Sequence, residues 1–227
     1  MTTGDRSLRH RKATFTEPAP YGYLYVGMRI DPPRGMPFVG KSVTRAEVLT
    51  KCASVARRLN TLAEVVSVAV YEAVVIPPAK NGPRFDVMVL IQTTSPETIT
   101  TVEAAEAYRD LDADLVMAAR NTRRIGDIDR SKAGAFLFNH FTATDPERAL
   151  RTWEDIAGWF THKAAVDDSA LLQPIRESPY VFVNHVRLPG SPIRFFLRLL
   201  KPSFRRSVSK RLSANQIGFA AVVCRPV

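Results

Sequence analysis

The segment Ala135-Phe-Leu-Phe-Asn-His-Phe141 is apolar except for one Asn-His pair, and Tyr180-Val-Phe-Val-Asn-His-Val186 repeats this arrangement. Both segments have the composition of buried β-strands, so two of the four histidines are expected inside the protein. A polar side chain buried without a partner is unfavourable, so each of these side chains must bind another residue or a ligand. The side chains concerned are those of Asn139, His140, Asn184 and His185.

Strand and helix patterns follow one another in a fixed order around these two segments. Period-two alternation predicts the strands, and capping residues followed by apolar stripes at helical spacing predict the helices. The predicted strands cover residues 21–30, 65–77, 85–93, 115–119, 135–141, 166–175, 180–188 and 216–225. The predicted helices cover 44–61, 94–111, a segment from 144 that includes Phe160, and 191–212 with a kink or restart at Pro202. The order strand, helix, strand, strand, helix, strand therefore occurs twice.

This arrangement resembles the dimeric α/β-barrel superfamily of ferredoxin-like domains, in its tandem-fused form, over residues 21–227. The resemblance rests on element order and on the repeated helix entries at Thr44, Thr94, Thr144 and Ser191, and it concerns architecture and no single family. It implies an α+β fold in which two tandem ferredoxin-like βαββαβ units, 21–128 and 133–227, form an intramolecular dimeric α/β-barrel. Each unit would have the strand order 4-1-3-2, with helices on one face and the partner sheet on the other. Members of this superfamily commonly hold substrates or haem between the sheets.

Composition is that of a soluble protein, with 45% apolar and 24% charged residues in a chain of 227. No apolar stretch reaches the roughly 20 residues that span a bilayer, and no apolar signal segment follows the polar N-terminus, so we expect a cytoplasmic protein. Residues 1–20 lack apolar periodicity and predict a flexible basic arm. Cys52 and Cys224 predict two reduced, buried thiols, and no metal-binding motif is found.

The predicted topology brings the two Asn-His pairs close together. The first and third strands of a unit are adjacent and antiparallel, so the two Asn-His pairs are expected to be cross-strand neighbours. Alternation directs each asparagine to the opposite face of the sheet from its own histidine. Two interpretations stay open: the side chains bond one another or the backbone, or they act in catalysis, ligand orientation or haem ligation.

Other polar residues lie within apolar strand patterns. Glu72 shares a strand face with valines, so it is a candidate general acid or base if buried, unless it lies near a strand end or pairs with an arginine. Tyr23, Tyr25 and Arg29 are candidates to line a cavity that stacks an aromatic ligand and holds its anionic group, and an ordinary aromatic ladder is the alternative.

The end of the chain is strongly basic. Glu177 is the last acidic residue, and nine Lys or Arg residues follow it. The last predicted helix combines an apolar stripe, which contains Leu197 but neither Phe195 nor Leu199, with cations that could contact an anionic membrane or an acidic partner. Packing on the sheet with a solvated basic face is the alternative. The cations concerned are Arg194, Arg198, Lys201, Arg205 and Arg206.

The leading functional hypothesis is that the protein binds a small, mainly apolar ligand or haem between the two sheets. Oxidoreductase- or isomerase-type chemistry would then be assisted by His140, His185 and Glu72, with Asn139 and Asn184 binding the ligand. The alternatives are a non-enzymatic module that binds membrane or an acidic partner through the basic helix, and a scaffold without ligand. Whether the chain is an enzyme is left open by these patterns. The sequence predicts no specific nucleic-acid binding, and a monomer or a homodimer.

Overall fold

The computed structural model describes residues 11–79, 82–126, 134–199 and 201–227. Eight antiparallel strands form one closed barrel in the order β1-β3-β2-β8-β5-β7-β6-β4. The first four strands thus have the predicted order 4-1-3-2, and so do the last four. The two sheets do not simply face each other, because β2 pairs with β8 and β4 pairs with β6, which closes the barrel. The strands are Gly22–Met28 (β1), Val65–Val75 (β2), Val87–Thr93 (β3), Leu115–Ile125 (β4), Phe136–Thr142 (β5), Ser169–Pro174 (β6), Phe182–Arg187 (β7) and Gly218–Pro226 (β8).

Helices cover the outside of the barrel. The cap of the first helix is Ser42, two residues before the expected cap at Thr44, because the Ser42 hydroxyl accepts the Arg45 N–H. The helix expected over 94–111 is broken at Ala105, whose backbone is extended. The last helix stops before Pro202 and restarts there, as a proline predicts. The helices are Val43–Leu59 (α1), Ile99–Ala104 (α2, after a 3₁₀ turn at Pro96–Thr98), Glu106–Arg109 (α3), Pro146–Ala164 (α4), Pro192–Leu199 (α5), Pro202–Phe204 (α6) and Lys210–Ala214 (α7, after a π-helical turn at Arg205–Ser209).

Three apolar clusters show how the side chains of the strands are divided. One cluster takes residues from all eight strands and none from a helix, so it fills the barrel interior. A second joins β1–β4 to α1–α3, and a third joins β5–β8 to α4–α7. Successive strand residues alternate between the interior and an outer, helix-covered face, and both faces are apolar.

Residues 11–20, which belong to the predicted arm, pack against the folded chain. Phe15 stacks on Trp153 at 5.7 Å between ring centroids, and Thr16 N–H donates to the Arg124 carbonyl at 3.0 Å. Gly158 allows this packing, since a Cβ there would lie 2.2 Å from the Arg11 carbonyl oxygen. The segment therefore packs on α4 and on the end of β4. Residues 1–10, Lys80, Asn81 and the segment 127–133 at the predicted unit boundary lie outside the described residues.

The thiols of Cys52 and Cys224 are free and buried, as predicted. Among the residues that the structure describes, no helix is long and apolar enough to cross a bilayer.

Candidate functional site

The two Asn-His pairs lie side by side on β5 and β7. Asn139 is the register partner of Asn184, and Phe138 is the partner of His185, so the predicted cross-strand neighbourhood is confirmed. Alternation separates the two residue types as expected. Both histidines point into the barrel, and both asparagines point outward beneath the helices of the second half.

His140 is held inside the barrel by two hydrogen bonds. Tyr25 Oη lies 2.8 Å from His140 Nε2, and the Ala220 carbonyl lies 3.3 Å from His140 Nδ1. A neutral ring protonated at Nδ1 satisfies both contacts, because Nδ1–H donates to the carbonyl and Nε2 accepts the tyrosine proton. Burial lowers the pKa of His140 to about 3, against weaker opposing effects of backbone hydrogen bonds at Ala220 and Phe138. This histidine is therefore neutral at physiological pH.

His185 belongs to the aromatic packing of the same interior. Its ring stacks on Phe138 at 4.5 Å and on Phe136 at 5.4 Å between centroids, and it meets the edge of Tyr71 at 5.5 Å.

Burial raises the pKa of Tyr25 well above its ordinary value, with smaller contributions from Tyr180 and Cys224. The interior is thus a closely packed aromatic core.

The other predicted ligand-binding residues of the first strand do not share one cavity. Tyr23 and Tyr25 belong to the interior cluster. Arg29 lies outside it with 56% of its side chain exposed, and its guanidinium pairs with Asp114 at 2.9 Å. No anion-holding cation therefore faces the interior from this strand.

Glu72 takes part in ion pairs, as the alternative interpretation stated. Its carboxylate accepts Arg225 Nη2 at 2.8 Å and Arg45 Nε at 3.2 Å. Burial alone raises the pKa of Glu72, but the hydrogen bonds from Arg225 and Arg45 outweigh burial and hold it below the ordinary value. The raised pKa that would suit a general acid is therefore absent, and a catalytic role of Glu72 stays a prediction.

A cavity lies between the outer face of β5–β8 and helices α4–α7, and it leaves about 50 Å³ for the centres of water-sized molecules. Asn139 and Asn184 line it on the sheet side, whereas neither histidine does. The wall is apolar and rich in aromatic rings, which is typical of sites for small organic molecules. Its aromatic members are Phe141, Trp153, Phe160, Phe195, Phe204 and Phe219.

Three polar side chains lie on the sheet side of this cavity: Asn139, Asn184 and Ser169. The Ser169 hydroxyl donates to Asn184 Oδ1 at 2.7 Å, and both residues are buried. Asn139 is only 8% exposed, and its side chain makes no hydrogen bond to the residues that the structure describes. The Asn139 amide reaches the accessible space of the cavity, where water or a ligand can bond it.

Sequence reasoning found the two asparagines and missed Ser169 and the aromatic wall. Ser169 begins a strand whose alternation is weak, and it has no motif around it. The wall residues of α4 lie on its predicted apolar stripe. Phe195 and Leu199 of α5 lay off the predicted stripe, yet both line the cavity, while Leu197 of that stripe is 59% exposed.

The basic residues near the chain end are mostly solvated. Arg194, Lys201, Arg205 and Arg206 are exposed. Arg198 differs, because its guanidinium donates to the Ala164 carbonyl at the end of α4. Contact of these residues with membrane or anions stays a prediction.

Cofactor ligation requires donor side chains that the cavity does not supply. In the described ranges, no cluster of three or more His, Cys, Asp or Glu residues could hold a metal ion. The described lining of the cavity also contains no His, Cys, Met or Tyr, the side chains that ligate haem iron. His140 and His185 lie on the far side of the sheet, and His162 is exposed.

No protein-family model and no curated protein matches the sequence. Solved structures do match over nearly the whole chain. An anthrone oxidase-like protein superposes with a TM-score of 0.63 at 11% identity over 91% of both chains. A chlorite dismutase variant of Candidatus Nitrospira defluvii in complex with cyanide gives 0.56 at 10% identity, over 93% of this chain and 92% of that one. A heme-binding protein of Thermus thermophilus gives 0.50 at 10% identity over 96% of both. This likeness shows the fold, which is the dimeric α/β-barrel.

Proposed function

We propose that the chain consists of two tandem ferredoxin-like units, 21–128 and 133–227, and that the second unit binds a small, mainly apolar organic molecule. The site is the cavity between the outer face of its sheet and α4–α7, not the space inside the barrel. The observation that carries this proposal is the pair of buried amides, Asn139 and Asn184, on one side of an otherwise apolar cavity.

The polar side chains in the lining favour a ligand-binding site and not an empty cavity. Empty cavities in proteins are lined by apolar side chains, because a polar group without a partner destabilises the fold. Asn139 could be replaced by an apolar residue without loss of any hydrogen bond to a described residue. Its presence is explained if a ligand supplies the missing partner.

Size and wall chemistry indicate the kind of molecule. The cavity leaves about 50 Å³ for the centres of water-sized molecules, which is several times the space that one buried water requires. Six aromatic side chains in the wall favour a ligand with a planar, apolar body, because rings stack on rings. The amides then hold a polar group at one end of that body.

Haem, which the Thermus thermophilus neighbour binds, fits this cavity poorly. Its iron requires a protein ligand, and the described lining residues provide none. We therefore propose an organic ligand in place of haem. The neighbours described as an anthrone oxidase-like protein and a chlorite dismutase support oxidoreductase-type chemistry of the bound molecule as a second candidate function. Among the described lining residues, Asn139, Asn184, Ser169 and the indole N–H of Trp153 could assist it through hydrogen bonds.

One chain closes the barrel by itself, so no second copy is needed to complete the fold. A monomer therefore suffices for ligand binding, and a homodimer would form through outer surfaces. The basic C-terminal helix contributes Phe195 and Leu199 to the cavity wall, which accounts for these two residues without a membrane contact.

Binding is tested with the neutral fluorescent probe N-phenyl-1-naphthylamine. The purified protein should bind it saturably with one site per chain. Ala157, which lines the cavity, is replaced by Leu to fill the space, and this variant should lose at least tenfold in affinity. The matched control is Ala56→Leu on α1, where a similarly buried alanine packs on the other half and binding should be unchanged. Absence of saturable binding, or equal affinity in the two variants, would overturn the proposal.

A further inference from the structure

We infer that Ser169 fixes the amide of Asn184 so that its NH₂ group faces the cavity, and that the ligand consequently presents a hydrogen-bond acceptor at this end. This inference rests on the proposed function and specifies the ligand class as planar apolar molecules with a carbonyl or similar oxygen. Ser169 is then a positioning residue that determines specificity through Asn184.

The orientation of the Asn184 amide follows from its contact with Ser169. The distance of 2.7 Å between Ser169 Oγ and Asn184 Oδ1 is typical of an O–H···O bond, and N–H···O bonds are usually longer by about 0.2 Å. Ser169 is 2% exposed and Asn184 is 7% exposed, so water competes little for this bond. With its oxygen engaged, the amide offers the cavity its two N–H donors.

Asn139 strengthens the preference of the site for a hydrogen-bond acceptor, because it lies directly opposite Asn184 across the strand pair. Register partners in antiparallel sheets have Cβ atoms about 5 Å apart, so one ligand atom can contact both side chains. The Asn139 amide has no bond to a described residue that would fix it, so it can turn its own N–H groups toward the same acceptor. Two converging donors suit a carbonyl oxygen, which has two lone pairs.

The donor character of the site predicts discrimination between ligands of the same shape. A site built to hydrogen-bond a ligand group rejects an analogue that lacks the group, because its own donors are left unpaired. For one or two buried N–H groups the expected difference in affinity is about 10- to 100-fold. An apolar cavity without oriented donors would not separate such a pair.

The test uses 9-fluorenone and fluorene, two planar molecules of nearly equal shape that differ in a carbonyl against a CH₂ group. Dissociation constants are measured by equilibrium dialysis on the full chain. The wild-type protein should bind 9-fluorenone at least tenfold more tightly than fluorene. Asn184→Leu leaves Asn139 as the remaining amide and should reduce this ratio to about threefold or less, and Ser169→Ala should do the same because the amide of Asn184 can then rotate. Ser169→Thr keeps the hydroxyl and should preserve the ratio.

A general loss of stability would weaken both ligands alike, so the affinity ratio reports orientation and not folding. If fluorene and 9-fluorenone bind the wild type equally, the inference is overturned while the proposed binding function stands. If Ser169→Ala keeps the full ratio, Ser169 has no positioning role and the inference is likewise overturned. If neither molecule binds, the proposed function itself fails and the inference fails with it. Should Ser169→Ala not fold, the ratios of Asn184→Leu and Ser169→Thr still decide.

Discussion

Tyr25 on β1 and His140 on β5 are joined by a 2.8 Å hydrogen bond, although their strands are not neighbours in the barrel. The bond crosses the interior and connects the N-terminal half of the chain to the C-terminal half. The histidine of the first Asn-His pair is thus a structural link inside the barrel, while the asparagine beside it faces the candidate ligand cavity.

Tyr25→Phe removes the proton donor of this link. His140 Nε2 would then be buried without its partner, so we expect the free energy of unfolding to fall by about 1–3 kcal/mol. Urea denaturation at pH 7.5 measures the change. Tyr21→Phe is the matched control, because Tyr21 is only partly buried at the edge of the same cluster, and it should change stability by less than about 0.5 kcal/mol. Equal effects of the two substitutions would show that the link contributes little.

The state of His140 predicts a pH dependence of stability. Its pKa is about 3 in the folded protein and about 6.5 when unfolded, so between these values the unfolded chain binds the additional proton. The stabilisation is present in full above pH 6.5 and is lost as pH falls toward 3, by up to the order of 5 kcal/mol. Urea unfolding from pH 7.5 to 4.5 of wild type and His140→Gln measures this effect. Carboxylates titrate in both proteins, so their effect cancels in the comparison. The difference in unfolding free energy between wild type and His140→Gln should therefore shrink as pH falls, and a constant difference would contradict the assignment.

Asn139→Leu should make the protein more stable and a poorer binder. The substitution removes a buried amide that has no hydrogen bond to a described residue and adds apolar surface to the cavity wall, so we expect the free energy of unfolding to rise by about 1 kcal/mol. Affinity for carbonyl-bearing probes should fall about tenfold. Chemical denaturation and equilibrium dialysis measure the two quantities.

The matched control for that substitution is Asn121→Leu. Asn121 donates to the carbonyls of Arg123 and Leu171 and accepts the Ala19 N–H, so its replacement should destabilise the fold by about 2–4 kcal/mol. If Asn139→Leu proves as damaging as Asn121→Leu, Asn139 has a structural role and not a ligand-binding one.

Replacing Arg45 should destabilise the fold much more than replacing Arg225. Arg45 is 2% exposed and bonds Glu72 and the fully buried Asp86 at 3.2 Å each. Arg45→Ala would leave the buried Asp86 carboxylate without its cationic partner and Glu72 with Arg225 alone, and we expect a loss of about 3–5 kcal/mol in unfolding free energy. Arg225→Ala removes an exposed partner of Glu72 and should cost less than about 1 kcal/mol. Similar losses in thermal and urea unfolding would contradict this description.

Much of the fold could be predicted because alternation and helix entries depend on local sequence. The length of β4 could not, since Arg120, Arg123 and Arg124 interrupt its apolar pattern, yet this 11-residue strand pairs with both β1 and β6. The packing of residues 11–20 depends on Trp153 and Gly158, far away in the sequence.

The candidate site was predicted in part. Alternation separates Asn139 from His140, but it does not say which face is the interior, because both faces of every strand meet apolar surroundings. Ser169 becomes recognisable only when β6 is placed beside β7, which brings its hydroxyl to Asn184. The repeated Asn-His pair was therefore found from sequence. That its histidines lie in the barrel interior and its asparagines in the cavity wall required the three-dimensional arrangement.

The most direct test of the central claim is a crystal structure of the protein soaked with 9-fluorenone. We predict ligand density in the cavity between β5–β8 and α4–α7, with its carbonyl oxygen within hydrogen-bond distance of Asn139 and Asn184. Density inside the barrel against His140 and His185, or an unchanged cavity at saturating ligand, would contradict the claim.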